Sequence, residues 1–73
     1  MNKMHELKNS TLLSHIDHKD GCLYATFRSG GTTYKYDDVD PEHLTNILEA
    51  ESPGKYMILN IIAKGIKGTK IND

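Results

Sequence analysis

The stretch Ser52-Pro53-Gly54-Lys55-Tyr56 has the most to offer a ligand. A serine hydroxyl and free backbone amides at a helix start, a glycine that leaves those amides approachable, and a lysine one residue later make a site for a phosphate or carboxylate. Glycine in a first helical turn costs about 1 kcal/mol against alanine, so Gly54 has a reason other than helix propensity. That reason is either close approach of a ligand or tight packing of the turn against the rest of the domain. The run is not a Walker-type phosphate loop, because the long glycine-spaced stretch and the Lys-Ser/Thr pair are missing.

A second constellation is Tyr34-Lys35-Tyr36, with Arg28 across an expected hairpin. Two tyrosines on one face of a strand beside a cation are what base stacking uses; they are also what a sheet uses to pack against a helix. His15-x-x-His18 with Cys22 nearby imitates a metal site. However, residues three apart on a strand point to opposite faces, and the four-ligand pattern of structural zinc is missing, so no metal is expected. Cys22 and His43 offer a thiol and a base, but no orienting third residue can be named for them, and no catalytic residue is assigned. The ligand-contact set expected from sequence is therefore Arg28, Tyr34, Tyr36, Ser52, Gly54, Lys55 and Tyr56, without a cofactor.

These residues must be positioned by a small α+β domain. Leu12 to His18 reads as a strand with Leu12, Ser14 and Ile16 on one side, closed by the turn residues Lys19-Asp20-Gly21. Cys22 to Arg28 alternates Leu23, Ala25 and Phe27 against Cys22, Tyr24, Thr26 and Arg28. Ser29-Gly30-Gly31 tolerates the positive φ of a hairpin, and Thr32 to Tyr36 is rich in strand-forming types. A three-stranded antiparallel meander follows. Asp40-Pro41-Glu42 opens a first helix that should stop near Glu51, and Ser52-Pro53 repeats the cap-then-proline signal for a second. The two short helices are expected to pack on one face of the sheet, with Leu23, Phe27, Leu44, Leu48, Tyr56 and Leu59 in the core. Residues 1 to 9 form a flexible arm or short helix, residues 10 to 68 the domain, and residues 69 to 73 a tail.

A chain of 73 residues buries only ~60% of the surface it exposes when unfolded, and domains of this size often need disulfides, metals or oligomerisation. The lone Cys22 supplies no internal disulfide, which leaves self-association. The apolar surface along Tyr56 to Ile62 is more than a small sheet covers, and it points to a homo-oligomer using residues 57 to 66. The unpaired thiol, an opening without a continuous apolar run and the absence of any membrane-length stretch are expected of a soluble cytoplasmic protein. Net charge is −1, which removes the simplest case for non-specific nucleic-acid binding. The charge is unevenly placed: residues 28 to 54 hold six acids against Arg28 and Lys35, and residues 55 to 73 hold four lysines against Asp73.

The order and spacing of several pieces resemble the KTSC domain family. These are Leu23-x-x-x-Phe27-x-Ser29-Gly30-Gly31, Tyr34-Lys35-Tyr36, Val39-x-Pro41, Leu48-x-Ala50-x-Ser52, Gly54-Lys55-Tyr56 and Asn60, spread over residues 10 to 68. Pro53 stands where the family commonly has lysine, which removes a positive charge from the candidate anion site, and Met57-Ile58 replaces a more polar or aromatic step. The resemblance implies a short module of the kind found at the C-terminus of some lysyl-tRNA synthetases and as stand-alone bacterial and phage proteins. It implies a non-catalytic binding module for RNA or a nucleotide-type anionic ligand. The alternative is a phage-type oligomeric inhibitor that sequesters a signalling nucleotide or binds a host defence protein.

Overall fold

The computed structural model describes residues 4 to 71; residues 1 to 3 of the expected arm and 72 to 73 of the expected tail lie outside it. The chain forms an antiparallel sheet and two helices, but the sheet has five strands in sequence order, not three. The expected meander is its centre: β2 (Leu13–Lys19), β3 (Cys22–Phe27) and β4 (Thr33–Tyr36). Two short edges complete it, β1 (His5–Glu6) against β2 and β5 (Gly68–Lys70) against β4. Both edges were missed because two or three mixed polar residues carry no period-2 pattern.

Local chemistry sets the turns. Lys19 pairs with Cys22 across Asp20 and Gly21, which have φ of 53° and 78°, the two positive values a two-residue hairpin turn requires. Strand β2 departs from simple alternation. Its register shifts between Leu13 and His15, and this bulge turns both Leu13 and Ile16 into the core, where neither keeps any exposure. The expected inward set of Leu12, Ser14 and Ile16 is therefore corrected to Leu13 and Ile16.

Helix α1 (Glu42–Glu49) begins as its residues dictate: the Asp40 carboxylate accepts from the Glu42 amide at 2.8 Å. Helix α2 (Pro53–Met57) has Ser52 as its cap, with Oγ accepting from the Lys55 amide at 3.4 Å and Pro53 in the first turn. It then widens into a π-helical segment over Ile58–Ile62, closed by the Ala63 amide donating to the Ile58 carbonyl at 2.7 Å. Residues facing inward along this stretch are Met57, Ile61 and partly Ile66, spaced by four and five. The three-residue steps expected from sequence do not describe the inward face. Leu59 is 54% exposed and Leu48 37% exposed, so both leave the expected core and Met57, Ile61 and Ile47 take their places.

The core lies between one sheet face and the helices, built on Leu13, Ile16, Leu23, Ala25 and Tyr36 from the sheet against Ile47, Met57 and Ile61, with Leu7 and Val39 closing its margins. Phe27, Leu44 and Tyr56 are only partly buried against it. Gly68 is fixed by this packing. A Cβ there would fall 2.7 Å from the Tyr36 ring, so the last strand can pair with β4 only where it has no side chain.

Candidate functional site

A groove of about 500 Å³ lies between the segment leading into β2 and the start of the second helix. One wall is Asn9, Ser10, Thr11 and Leu12; the other is Ser52, Gly54, Lys55, Ile58 and Leu59. Of the sequence-expected set it gathers Ser52, Gly54 and Lys55. It does not gather Arg28, Tyr34, Tyr36 or Tyr56.

The first wall is rigid for reasons visible in its bonds. Ser10 is buried, and its Oγ accepts from the amides of Leu12 at 3.2 Å and Leu13 at 3.0 Å, folding the chain into a tight turn ahead of β2. Arg28 reaches back to the same segment. Its Nε donates to the Ser10 carbonyl at 2.7 Å, a terminal guanidinium nitrogen donates to the Leu7 carbonyl, and its amide donates to Leu12 at 2.9 Å. Arg28 thus holds a groove wall from behind.

The second wall explains Gly54. A Cβ at that position would lie 2.9 Å from Leu12 Cβ and 3.4 Å from Leu12 Cδ2 and Ser10 Oγ. Of the two reasons weighed for this glycine, tight packing is the one its contacts supply, against the segment before β2. Two of the helix-start amides are spent: Lys55 donates to Ser52 Oγ, and Tyr56 donates to the Ser52 carbonyl at 3.0 Å, while Pro53 has none. The charge remains. Lys55 is exposed on the groove rim, and among the described residues it has no ion pair. Leu12, Ile58 and Leu59 give the groove an apolar lining below it.

The tyrosines are placed by register. Tyr34 lies opposite Ala25 and Tyr36 opposite Leu23, both core-facing, so the pair belongs to the inner face. Tyr36 is 5% exposed, and burial, with a smaller contribution from Tyr34, raises its hydroxyl above the usual tyrosine pKa. Tyr34 meets Phe27 edge-on at 5.6 Å. The aromatic on the outer face is Tyr24, flanked across the strands by Asp17 and Lys35. Tyr56 points to α1, where its hydroxyl accepts from Asn46 Nδ2 at 3.0 Å and bonds His43 Nδ1 at 2.9 Å, latching the two helices.

Neither the metal-like nor the thiol constellation is assembled. His18 Nε2 contacts the Val39 carbonyl at 2.6 Å and must be the protonated nitrogen, because a carbonyl only accepts. His15 is engaged with Ser14 on the other face. Among the described residues no three His, Cys, Asp or Glu side chains gather as a metal site. The Cys22 thiol is raised above its ordinary pKa by desolvation, then by its hydrogen bond to Asp37 at 3.3 Å, and His43 is occupied with Tyr56.

Comparison with known families decides the kinship of this arrangement. A family model, the KTSC domain, matches residues 9–64, from the first wall of the groove to just past the π-helical segment. The chain belongs to the KTSC domain family. No curated protein matches it. The match takes in both walls of the groove, the three central strands and the two helices, and leaves β1 and β5 outside. No helix among the described residues is long and apolar enough to cross a membrane.

Proposed function

We propose that this KTSC domain is a small non-catalytic binding module whose ligand is of RNA or nucleotide type, held in the groove between residues 9 to 12 and 52 to 59. The observation that carries this reading is the combination at the groove: an unpaired Lys55 ammonium on the rim above an apolar lining of Leu12, Ile58 and Leu59, with hydroxyls at Thr11 and Ser52. An apolar lining suits the face of a base or sugar, and one cation suits a single phosphate. With the Lys55 and Tyr56 amides bonded to Ser52 and none on Pro53, the Lys55 ammonium is the main anion contact. Tyr34 and Tyr36 lie on the inner face of the sheet, and Arg28 shapes the first wall. A thiol kept protonated beside Asp37 and a histidine engaged with a tyrosine support a binding role over a catalytic one.

The test is fluorescence anisotropy with a labelled single-stranded RNA 10-mer and, separately, a labelled nucleoside monophosphate, comparing Lys55→Ala with Lys70→Ala after each is shown to fold. Loss confined to Lys55→Ala supports the groove. Equal loss in both variants means diffuse electrostatics, and loss in neither removes the proposal. Salt separates the two probes: RNA affinity should fall steeply with ionic strength, and monophosphate affinity only slightly.

A further inference from the structure

Ser10 lines the groove while only 8% exposed, so it lies deep in the site where Lys55 stands on the rim. The bonds around its hydroxyl leave that group a single role. A serine oxygen has two lone pairs and one hydrogen. Both lone pairs are taken, by the Leu12 amide at 3.2 Å and the Leu13 amide at 3.0 Å. The hydrogen is left over, and among the described residues nothing accepts it. The Ser10 carbonyl is held from behind by Arg28 Nε at 2.7 Å. Toward the second wall the oxygen faces Gly54, which brings no side chain to it: a Cβ there would stand 3.4 Å away.

We infer that Ser10 is the specificity-determining residue of the groove, its hydroxyl donating to a neutral acceptor on the base of the ligand while Lys55 holds the phosphate. This rests on the ligand reading of the groove and adds a selection rule to it. A ring packed on Leu12, Ile58 and Leu59 shuts solvent out of the lower groove. The ligand must then supply an acceptor for the Ser10 hydrogen, or a buried donor is left unpaired. With its lone pairs occupied, the hydroxyl cannot accept from an amino group in the same place. A ring carbonyl or unprotonated ring nitrogen is therefore held, and an amino group or a bare hydrocarbon edge is not.

The experiment sets uridine monophosphate, whose base has carbonyl acceptors and no amino group, against its phenyl analogue. The analogue keeps the sugar, the phosphate and a flat apolar ring but has no acceptor on the ring. Isothermal titration calorimetry on the full chain measures both affinities in the wild type, Ser10→Ala and Ser10→Cys, each variant first shown to fold by circular dichroism. The ratio of uridine to phenyl affinity should fall by about three- to tenfold in either variant, the range of one neutral hydrogen bond. Alanine also removes the acceptor of the Leu12 and Leu13 amides; cysteine, close in size and a weak donor, serves where that loss unfolds the chain. A wall merely disturbed by the substitution lowers both affinities together and leaves the ratio unchanged, so the ratio reports the hydroxyl itself. An unchanged ratio with both probes still bound overturns the inference and leaves the groove reading standing. Failure of both probes to bind the wild type at millimolar concentration removes the groove reading, and the inference with it.

Discussion

Replacing Gly54 by alanine sets two well-understood effects against each other. Alanine is preferred over glycine in a helix by about 1 kcal/mol, and Gly54 lies in a first turn without a positive φ, so propensity alone predicts stabilisation. The added Cβ would meet Leu12 Cβ at 2.9 Å, where carbon atoms rest comfortably at about 3.5–4.0 Å. A Cβ cannot swing aside as a side-chain tip can, so the backbone of residues 10 to 12 or of the helix start must move by more than half an ångström. Overpacking of this kind costs about 1–3 kcal/mol. Less the propensity gain, Gly54→Ala should destabilise by about 1 kcal/mol, which in a domain of this size lowers Tm by roughly 4–8 °C. Thermal and urea unfolding of the wild type and variant measure it. The companion is Leu12→Gly, which removes the opposing Cβ: in that background Gly54→Ala should be neutral or stabilising, giving a coupling energy of about 1 kcal/mol or more. Stabilisation by Gly54→Ala in the wild-type background would refute the contact argument and return Gly54 to ligand approach.

Two further outcomes follow from the bonds around the sheet. Arg28→Lys keeps the charge but loses the fork that reaches both the Ser10 and Leu7 carbonyls; stability should fall by on the order of 1 kcal/mol, with faster amide exchange at Leu7, whose N–H donates to Ser14. Unchanged exchange there would mean that the wall stands without its clamp. For Cys22, the raised pKa keeps the thiol protonated in the folded state above its ordinary 9.0. The folded state then binds more protons than the unfolded one as pH rises past that value, so stability declines in that alkaline window and is insensitive to this group below it. Asp37→Ala removes the hydrogen-bond acceptor and should speed iodoacetamide labelling of Cys22 in the folded protein at mildly alkaline pH; an equal or slower rate would argue against that hydrogen bond.

Much of the domain is written locally in its residues. Asp20-Gly21 specifies a tight hairpin, and Asp40-Pro41 and Ser52-Pro53 specify two helix starts, because a turn or cap depends on groups within three or four positions of one another. The alternation of Leu23 and Ala25 likewise fixes which face of β3 is inward. Other features depend on contacts between segments distant along the chain. The bulge at Ser14 turns Leu13 inward, and the π-helical segment leaves Leu59 outside while Ile61 goes in; neither has a local code, because each is the way a strand or helix accommodates the partner it meets. Tyr34 and Tyr36 read as either a stacking or a packing pair until the register sets them against Ala25 and Leu23 on the inner face, where Tyr36 joins the core and Tyr34 packs partly buried against it. Gly54 shows the division most clearly. Its presence in a helix start is legible as an anomaly, but its reason is Leu12, brought to it only when the segment before the sheet packs on the second helix, since van der Waals exclusion acts between neighbours in space, whatever their separation in the chain.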